Sequence, residues 1–228
     1  MKSSTLVRVW AAAAPGQAAI ALHLTPCIIA CPPGRCDALI NPANEQLQGT
    51  LFSPAEANTR LLGNGIIYPP QAIDGLVHEL GGDALWRALE ALPQHPGSSR
   101  RCSPGDAVVT PAFGELRCSY SQLVHAVAPF YCDTNWKSLL CAAYSNAFTA
   151  AAVAHFGSLA VPLLGAGARG APTHAASMVA ASAAAAWRGP AGSSPLHVCF
   201  AVQEGEVADI LVAALDAALS QRYTERTD

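Results

Sequence analysis

The chain reads as a three-layer α/β/α sandwich around a mixed sheet of six or seven strands. Short apolar runs with strand spacing alternate with longer stretches of helical spacing, the pattern of helices packed on a mostly parallel sheet. Strand-like runs come consecutively at the start and again at 107–127, which calls for antiparallel pairing there. The 228 residues are 51% hydrophobic and 13% charged, enough apolar material for one large buried core.

Taken in order, strands are expected at Thr5–Trp10, where Thr5, Val7 and Val9 alternate, then at Ala18–Leu24, Ala38–Asn41, Ala107–Thr110, Gln122–Val127, Ser158–Leu164 and Leu196–Val202. Helices fall between several of them. Asp83–Leu92 (DALWRALEAL) is periodic and stops at Pro93. Asn135–His155 carries apolar residues at 139, 140, 143, 147 and 148, and Thr173–Trp187 is rich in alanine. Glu206–Leu219 has an apolar stripe at 207, 210, 211, 214 and 215. Leu47–Gln71 and Gln94–Gly105 read as long loops within a single domain spanning 1–228, because the flanking pieces continue one sheet pattern. The polar tail 220–228 is expected to fray.

The same composition excludes several classes. It is too hydrophobic for disorder and has neither a collagen nor a heptad period. A net charge of −3 and a pI near 6.1 argue against a broad nucleic-acid footprint. No membrane span is expected, since no uninterrupted apolar run reaches the required length. The N-terminal stretch fits a strand better than a secretory signal, because Arg8 breaks its apolar run. Eight scattered cysteines without a CxxC pair read as reduced, mostly buried thiols of an intracellular, cytoplasmic protein; no metal site and no cofactor are expected.

Three segments carry chemistry. In Asp37-Ala-Leu-Ile-Asn41-Pro-Ala-Asn44 a buried strand ends in two amides, either closing an Asx turn or facing the ligand crevice at the strand's carboxyl end. In Ala72-Ile-Asp74-Gly-Leu-Val-His78-Glu-Leu-Gly-Gly82, Asp74 sits where a helix should begin and reads as its N-cap. Gly81-Gly82 would end that helix, and His78 shares a face with Asp74 as a packed or catalytic histidine. The third, Leu163-Leu-Gly165-Ala166-Gly167-Ala168-Arg169-Gly170-Ala-Pro172, follows a strand and opens a helix, so its backbone amides form an anion cradle suited to a diphosphate. It also spells G-x-G-x-x-G. A dinucleotide-binding reading meets three objections: the motif comes late, Pro172 follows its third glycine, and no acidic residue lies near 185–195. A plain helix-entry turn of small residues is the remaining alternative.

In this order the segments resemble the macro domain family of ADP-ribose-binding modules. DALINPAN is similar to the family's D-A-I-V-N-A-A-N, and IDGLVHELGG to V-D-G-A-I-H-x-A-A-G. Cys102–Thr110 resembles C-x-T-G-x-A-x-x-T, and Leu123–Pro129 resembles V-I-H-T-V-G-P. Leu140–Ala150 and Ser158–Pro172 continue the likeness, so the core motifs run over 36–202. The DG-x-x-H element is nearest the MacroD-type branch, which removes mono-ADP-ribose from proteins.

The resemblance implies ADP-ribose or an ADP-ribosylated protein as partner. It implies hydrolysis of ADP-ribose esters, either protein-linked mono-ADP-ribose or O-acyl-ADP-ribose such as O-acetyl-ADP-ribose. A non-catalytic reader of ADP-ribose or a related nucleotide, or a degenerate scaffold, is the alternative. Asn44 matches the amide that holds the distal ribose, and Asp74 the carboxylate that orients or activates water. Asn41 and Gly165, Ala166, Gly167, Ala168, Arg169 and Gly170 are the expected ligand-binding residues.

Four departures stand out. Counting upstream without gaps puts Ala30 where the family has an Asp for the adenine amino group. An insertion at about 49–70 separates Asn44 from Asp74; TLFSPAEANTRLLGNGIIY holds no Cys or His for a zinc. Tyr68-Pro-Pro-Gln71 replaces the family's glycine run, and Arg169 replaces an aromatic.

Overall fold

The computed structural model describes residues 3–49, 60–61, 67–68 and 72–224. Among the described residues nine strands form: β1 (Thr5–Trp10), β2 (Ala19–Leu24), β3 (Ala38–Ala43), β4 (Arg60–Leu61), β5 (Ile67–Tyr68), β6 (Ala107–Pro111), β7 (Gln122–Val127), β8 (Ser158–Val161) and β9 (His197–Val202). The helices are α1 (Ile73–Glu90), α2 (Trp136–Val153), α3 (Thr173–Ala186) and α4 (Gly205–Thr224).

Seven strands make one mixed sheet in the order β1-β2-β9-β8-β3-β7-β6, so the expected sandwich is the observed one. β2, β9, β8, β3 and β7 run parallel; the outermost strands β1 and β6 pair antiparallel with β2 and β7. β4 and β5 form a separate antiparallel ladder. Apart from that ladder, the insertion at about 49–70 and the Pro69-Pro70-Gln71 replacement lie outside the described residues.

Strand alternation divides the core in two. Ile20, Ile40, Val124, Val161 and Phe200 face Tyr144 and Phe148 of α2, the alanines of α3, and Leu211 and Leu215 of α4. Leu39, Leu123, Val127 and Ala160 face the other way, toward Val77, Leu85 and Leu89 of α1. Small alanine side chains let α3 approach its neighbours closely, and this face is sealed by burial alone.

Residues 73–90 are two helical runs joined across a kink at Gly82 (φ 59°, ψ −159°), a backbone conformation that favours glycine, so the expected break at Gly81-Gly82 is observed. Three expectations need correction. β8 ends at Val161, not Leu164, because Pro162 cannot donate to the ladder. α4 continues to Thr224, into the stretch expected to fray, which leaves 225–228 outside the described residues. Of the eight thiols only Cys36 and Cys102 are buried, while Cys118 and Cys132 are exposed. No helix among the described residues is long and apolar enough to cross a membrane.

Candidate functional site

The five parallel strands place their carboxyl ends along one edge of the sheet, and a cavity of about 510 Å³ opens there. Its wall is built from the residues that follow each strand: Thr25 after β2, Asn44 and Glu45 after β3, Ala128 and Phe130 after β7, Pro162–Arg169 after β8, and Gln203 and Glu204 after β9. Asp74 at the start of α1 and Thr173 at the start of α3 complete it. This is where open α/β sheets bind ligands, and the volume suits a nucleotide-sized molecule.

Asn44 knots the turn after β3. Its Nδ2 donates to the Gly49 carbonyl, and its Oδ1 accepts from the Gln48 N–H at 3.2 Å. Leu47, buried at φ 59°, closes the bend. Asn44 thus serves its own turn and also lines the cavity.

Asp74 does not cap its helix. The N-cap is Ala72, without a side-chain hydrogen bond, and Asp74 lies inside the first turn. Its Oδ1 instead accepts from Asn41 Nδ2 at 2.8 Å, a buried donor on the strand beneath. His78, one turn on, brings Nε2 to 3.5 Å from the same oxygen. Burial pushes the His78 pKa down, against the pull of the Asp74 charge. Asn41 is fully buried, so its amide serves Asp74 rather than a ligand. The buried row extends outward: Asn41 Nδ2 is also 3.2 Å from His125 Nδ1, and His125 Nε2 is 2.9 Å from Thr110 Oγ1.

The glycine-rich turn directs main-chain N–H groups without backbone partners among the described residues toward the cavity. Gly170 N–H donates to Gly167 O at 2.9 Å and Ala171 N–H to Gly165 O at 3.0 Å. The amides of Gly165–Arg169 have no backbone partner among the described residues, and all five residues line the cavity. Gly170 does not line it; at φ 79° it turns the chain toward α3. Gly165 sits at φ 83°, where an added Cβ would lie 3.3 Å from Leu140 Cδ2. Tyr144 of α2 anchors the base of the turn by accepting from the Leu164 N–H at 2.7 Å.

Arg169 already has partners. Nη1 and Nη2 meet Glu45 Oε1 and Oε2 at 3.0 and 3.2 Å, a two-pronged ion pair between the turns after β3 and β8. The guanidinium carbon lies 4.3 Å from the Phe130 ring centre. Burial alone would raise the Glu45 pKa, but the Arg169 hydrogen bonds and charge hold it below the usual carboxylate range. Among the described residues, Asp74, Glu45 and Glu204 are the acidic groups of the wall and the cation Arg169 is paired, so an anionic ligand would rely on the main-chain amides.

Ala30 is exposed on the turn at 26–36 and is not among the residues that line the cavity. Thr25 and Ile28 reach the cavity at that end. Thr25 is buried, with its hydroxyl donating to Cys31 O at 2.6 Å.

Residues 40–180, more than half the chain, match the model of the macro domain. The chain belongs to the macro domain family. A macro domain-containing protein of Vibrio parahaemolyticus is 36% identical over 125 residues, 54% of this chain and 67% of its own length. The O-acetyl-ADP-ribose deacetylase of Salmonella typhimurium is 35% identical over 126 residues, 54% of this chain and 64% of its length. The matched region therefore spans about two thirds of these curated relatives. The Oceanobacillus iheyensis macrodomain with ADP superposes with a TM-score of 0.68 at 18% identity, covering 96% of this chain and 98% of that one, a likeness of fold. The structural match covers 96% of the chain and so extends beyond the 40–180 match at both ends.

In this macro domain, reading the sequence for site residues missed Glu45, Phe130, His125 and Thr110. One signal was available for His125: it is the one buried polar residue of β7, an arrangement that demands a partner. Nothing local announces an ion pair between residues 124 positions apart.

Proposed function

We propose that this protein hydrolyses esters of ADP-ribose, either mono-ADP-ribose on a protein side chain or a small O-acyl-ADP-ribose, in the cytoplasm. The observation that carries the reading is that one cavity holds a carboxylate, an amide side chain and a run of unpaired main-chain N–H groups. In this reading the amides of Gly165–Arg169, at the mouth of α3, grip the diphosphate and fix the ligand's register. Asn44 meets the distal ribose. In a protein-linked ester, breaking the bond at the anomeric carbon builds oxocarbenium character as the protein carboxylate leaves, and a nearby carboxylate stabilises that charge and orients the attacking water. In an O-acyl ester on another ribose hydroxyl, the same oriented water attacks the acyl carbonyl and the ribose hydroxyl leaves. Asp74 is that carboxylate, held at the wall by Asn41. The Salmonella relative named as an O-acetyl-ADP-ribose deacetylase supports this substrate class.

The test is turnover of O-acetyl-ADP-ribose and of a mono-ADP-ribosylated protein by the wild type, Asp74→Ala and Asn44→Ala. Each substitution is expected to lower kcat by about a hundredfold or more while the fold persists. Wild-type rates in both variants contradict the mechanism. A second reading, a non-catalytic reader, is favoured by the hydrogen bonds that occupy both ends of the Asn44 amide. Micromolar ADP-ribose binding without product release selects it.

A further inference from the structure

Three adjacent strands contribute one polar side chain each to the buried face under α1. Asn41 on β3 and His125 on β7 are register neighbours, and Thr110 lies on β6 beside them. None is more than 4% exposed, and none lines the cavity. Their hydrogen bonds run in series from Thr110 through His125 and Asn41 to Asp74.

The chemistry of the series fixes its protons. An amide NH2 only donates, so Asp74 Oδ1 and His125 Nδ1 must both accept from Asn41. A neutral imidazole that accepts at Nδ1 carries its hydrogen on Nε2, which then donates to Thr110 Oγ1. The other tautomer would set two donors face to face. Burial keeps the ring neutral, with its pKa pushed down to about 3. Asn41 Oδ1 makes no hydrogen bond among the described residues, so nothing on that side of the amide selects its orientation. His125 and Asp74 select it together.

We propose that His125, locked by Thr110, is a positioning residue that acts through Asn41 to hold the Asp74 carboxylate at the cavity wall. The inference rests on the hydrolytic reading for its consequence, but its geometry stands apart from it. Without an acceptor at His125 Nδ1 the amide has one partner fewer and can rotate, and the carboxylate loses a fixed donor. The reacting group is then misplaced while the binding surface stays intact.

The experiment compares wild type, Asp74→Ala, His125→Leu, His125→Asn and Thr110→Val for turnover of O-acetyl-ADP-ribose, affinity for ADP-ribose and thermal midpoint. His125→Leu removes the acceptor. His125→Asn returns an oxygen near the Nδ1 position, and both variants lose the Thr110 contact. The expected result is a kcat lowered about tenfold or more in His125→Leu, a Kd within about threefold of wild type, and recovery of most of kcat in His125→Asn. Thr110→Val, a small change of shape, lowers kcat about threefold at unchanged Kd. Proton–nitrogen NMR of the wild type reads the tautomer without any turnover, and hydrogen on Nε2 alone is expected. Protonated Nδ1, wild-type kcat in His125→Leu, equal losses in His125→Leu and His125→Asn, or a loss confined to KM overturns the proposal. An inactive wild type, or a fully active Asp74→Ala, with the expected tautomer overturns the hydrolytic reading instead.

Discussion

The two faces of the central sheet solve different problems. The face under α2, α3 and α4 is largely apolar, with Phe148, Tyr144, Phe200 and a stripe of alanines at full burial and Ser177 as a buried polar residue of α3. The face under α1 interleaves Leu39, Leu123, Val77 and Leu85 with Asn41, Asp74, His78, Thr110 and His125, all buried. A buried polar group is costly unless its partners are in place, so the second face has the more demanding geometry and the smaller margin. The first face makes the fold stable. The second trades some of that stability for side chains held in one arrangement beside the cavity.

If so, the faces respond differently to damage. Phe148→Ala removes a ring stacked edge-on against Trp187 at 6.0 Å and leaves a hole. It is expected to cost about 3–5 kcal/mol in denaturant unfolding while the folded fraction binds ADP-ribose normally. Unchanged stability, or weakened ligand affinity in the folded fraction, contradicts the division of labour.

Acid probes the second face. His125 is held neutral with a pKa near 3, against about 6.5 in the unfolded chain, and the His78 pKa is lowered as well. Between those values the unfolded chain binds the proton and the folded one does not. Stability is therefore whole above about pH 6.5 and falls as pH drops toward 3. His125→Asn is expected to flatten part of that slope; a slope identical to wild type removes the assignment.

Smaller effects sharpen the picture at the mouth of the cavity. Glu45→Gln breaks the two-pronged bond to Arg169 and is expected to cost about 1–2 kcal/mol near neutral pH. Because the Glu45 pKa is lowered in the folded state, this contribution is present above the ordinary carboxylate pKa and disappears as pH falls below it. A difference from wild type that persists unchanged into strong acid contradicts the ion-pair account. Val9→Thr, on the exposed side of β1, should change stability by less than about 0.5 kcal/mol. A larger loss would mean that this side is covered.

Local signals carried much of this into the sequence. β1 and β7 were readable to the residue, because alternation and flanking turns act within a few positions. The macro domain fold was readable from motif order, and the glycine-rich turn at the head of α3 from its glycines. What stayed hidden is long-range. Asp74 satisfies the local pattern of an N-cap, yet a donor 33 positions away on β3 competes successfully for it. Leu163 and Leu164 look like strand because they are apolar, but they are apolar to seat the turn beneath the cavity and on the core.

The account stands most directly on the main-chain cradle, and amide chemical shifts during an ADP-ribose titration test it. Residues Gly165–Arg169 are expected to shift with ADP-ribose and with ADP, and to stay still with adenosine, which has no diphosphate. Binding that leaves those five amides unmoved, or adenosine moving them as far as ADP does, would contradict it.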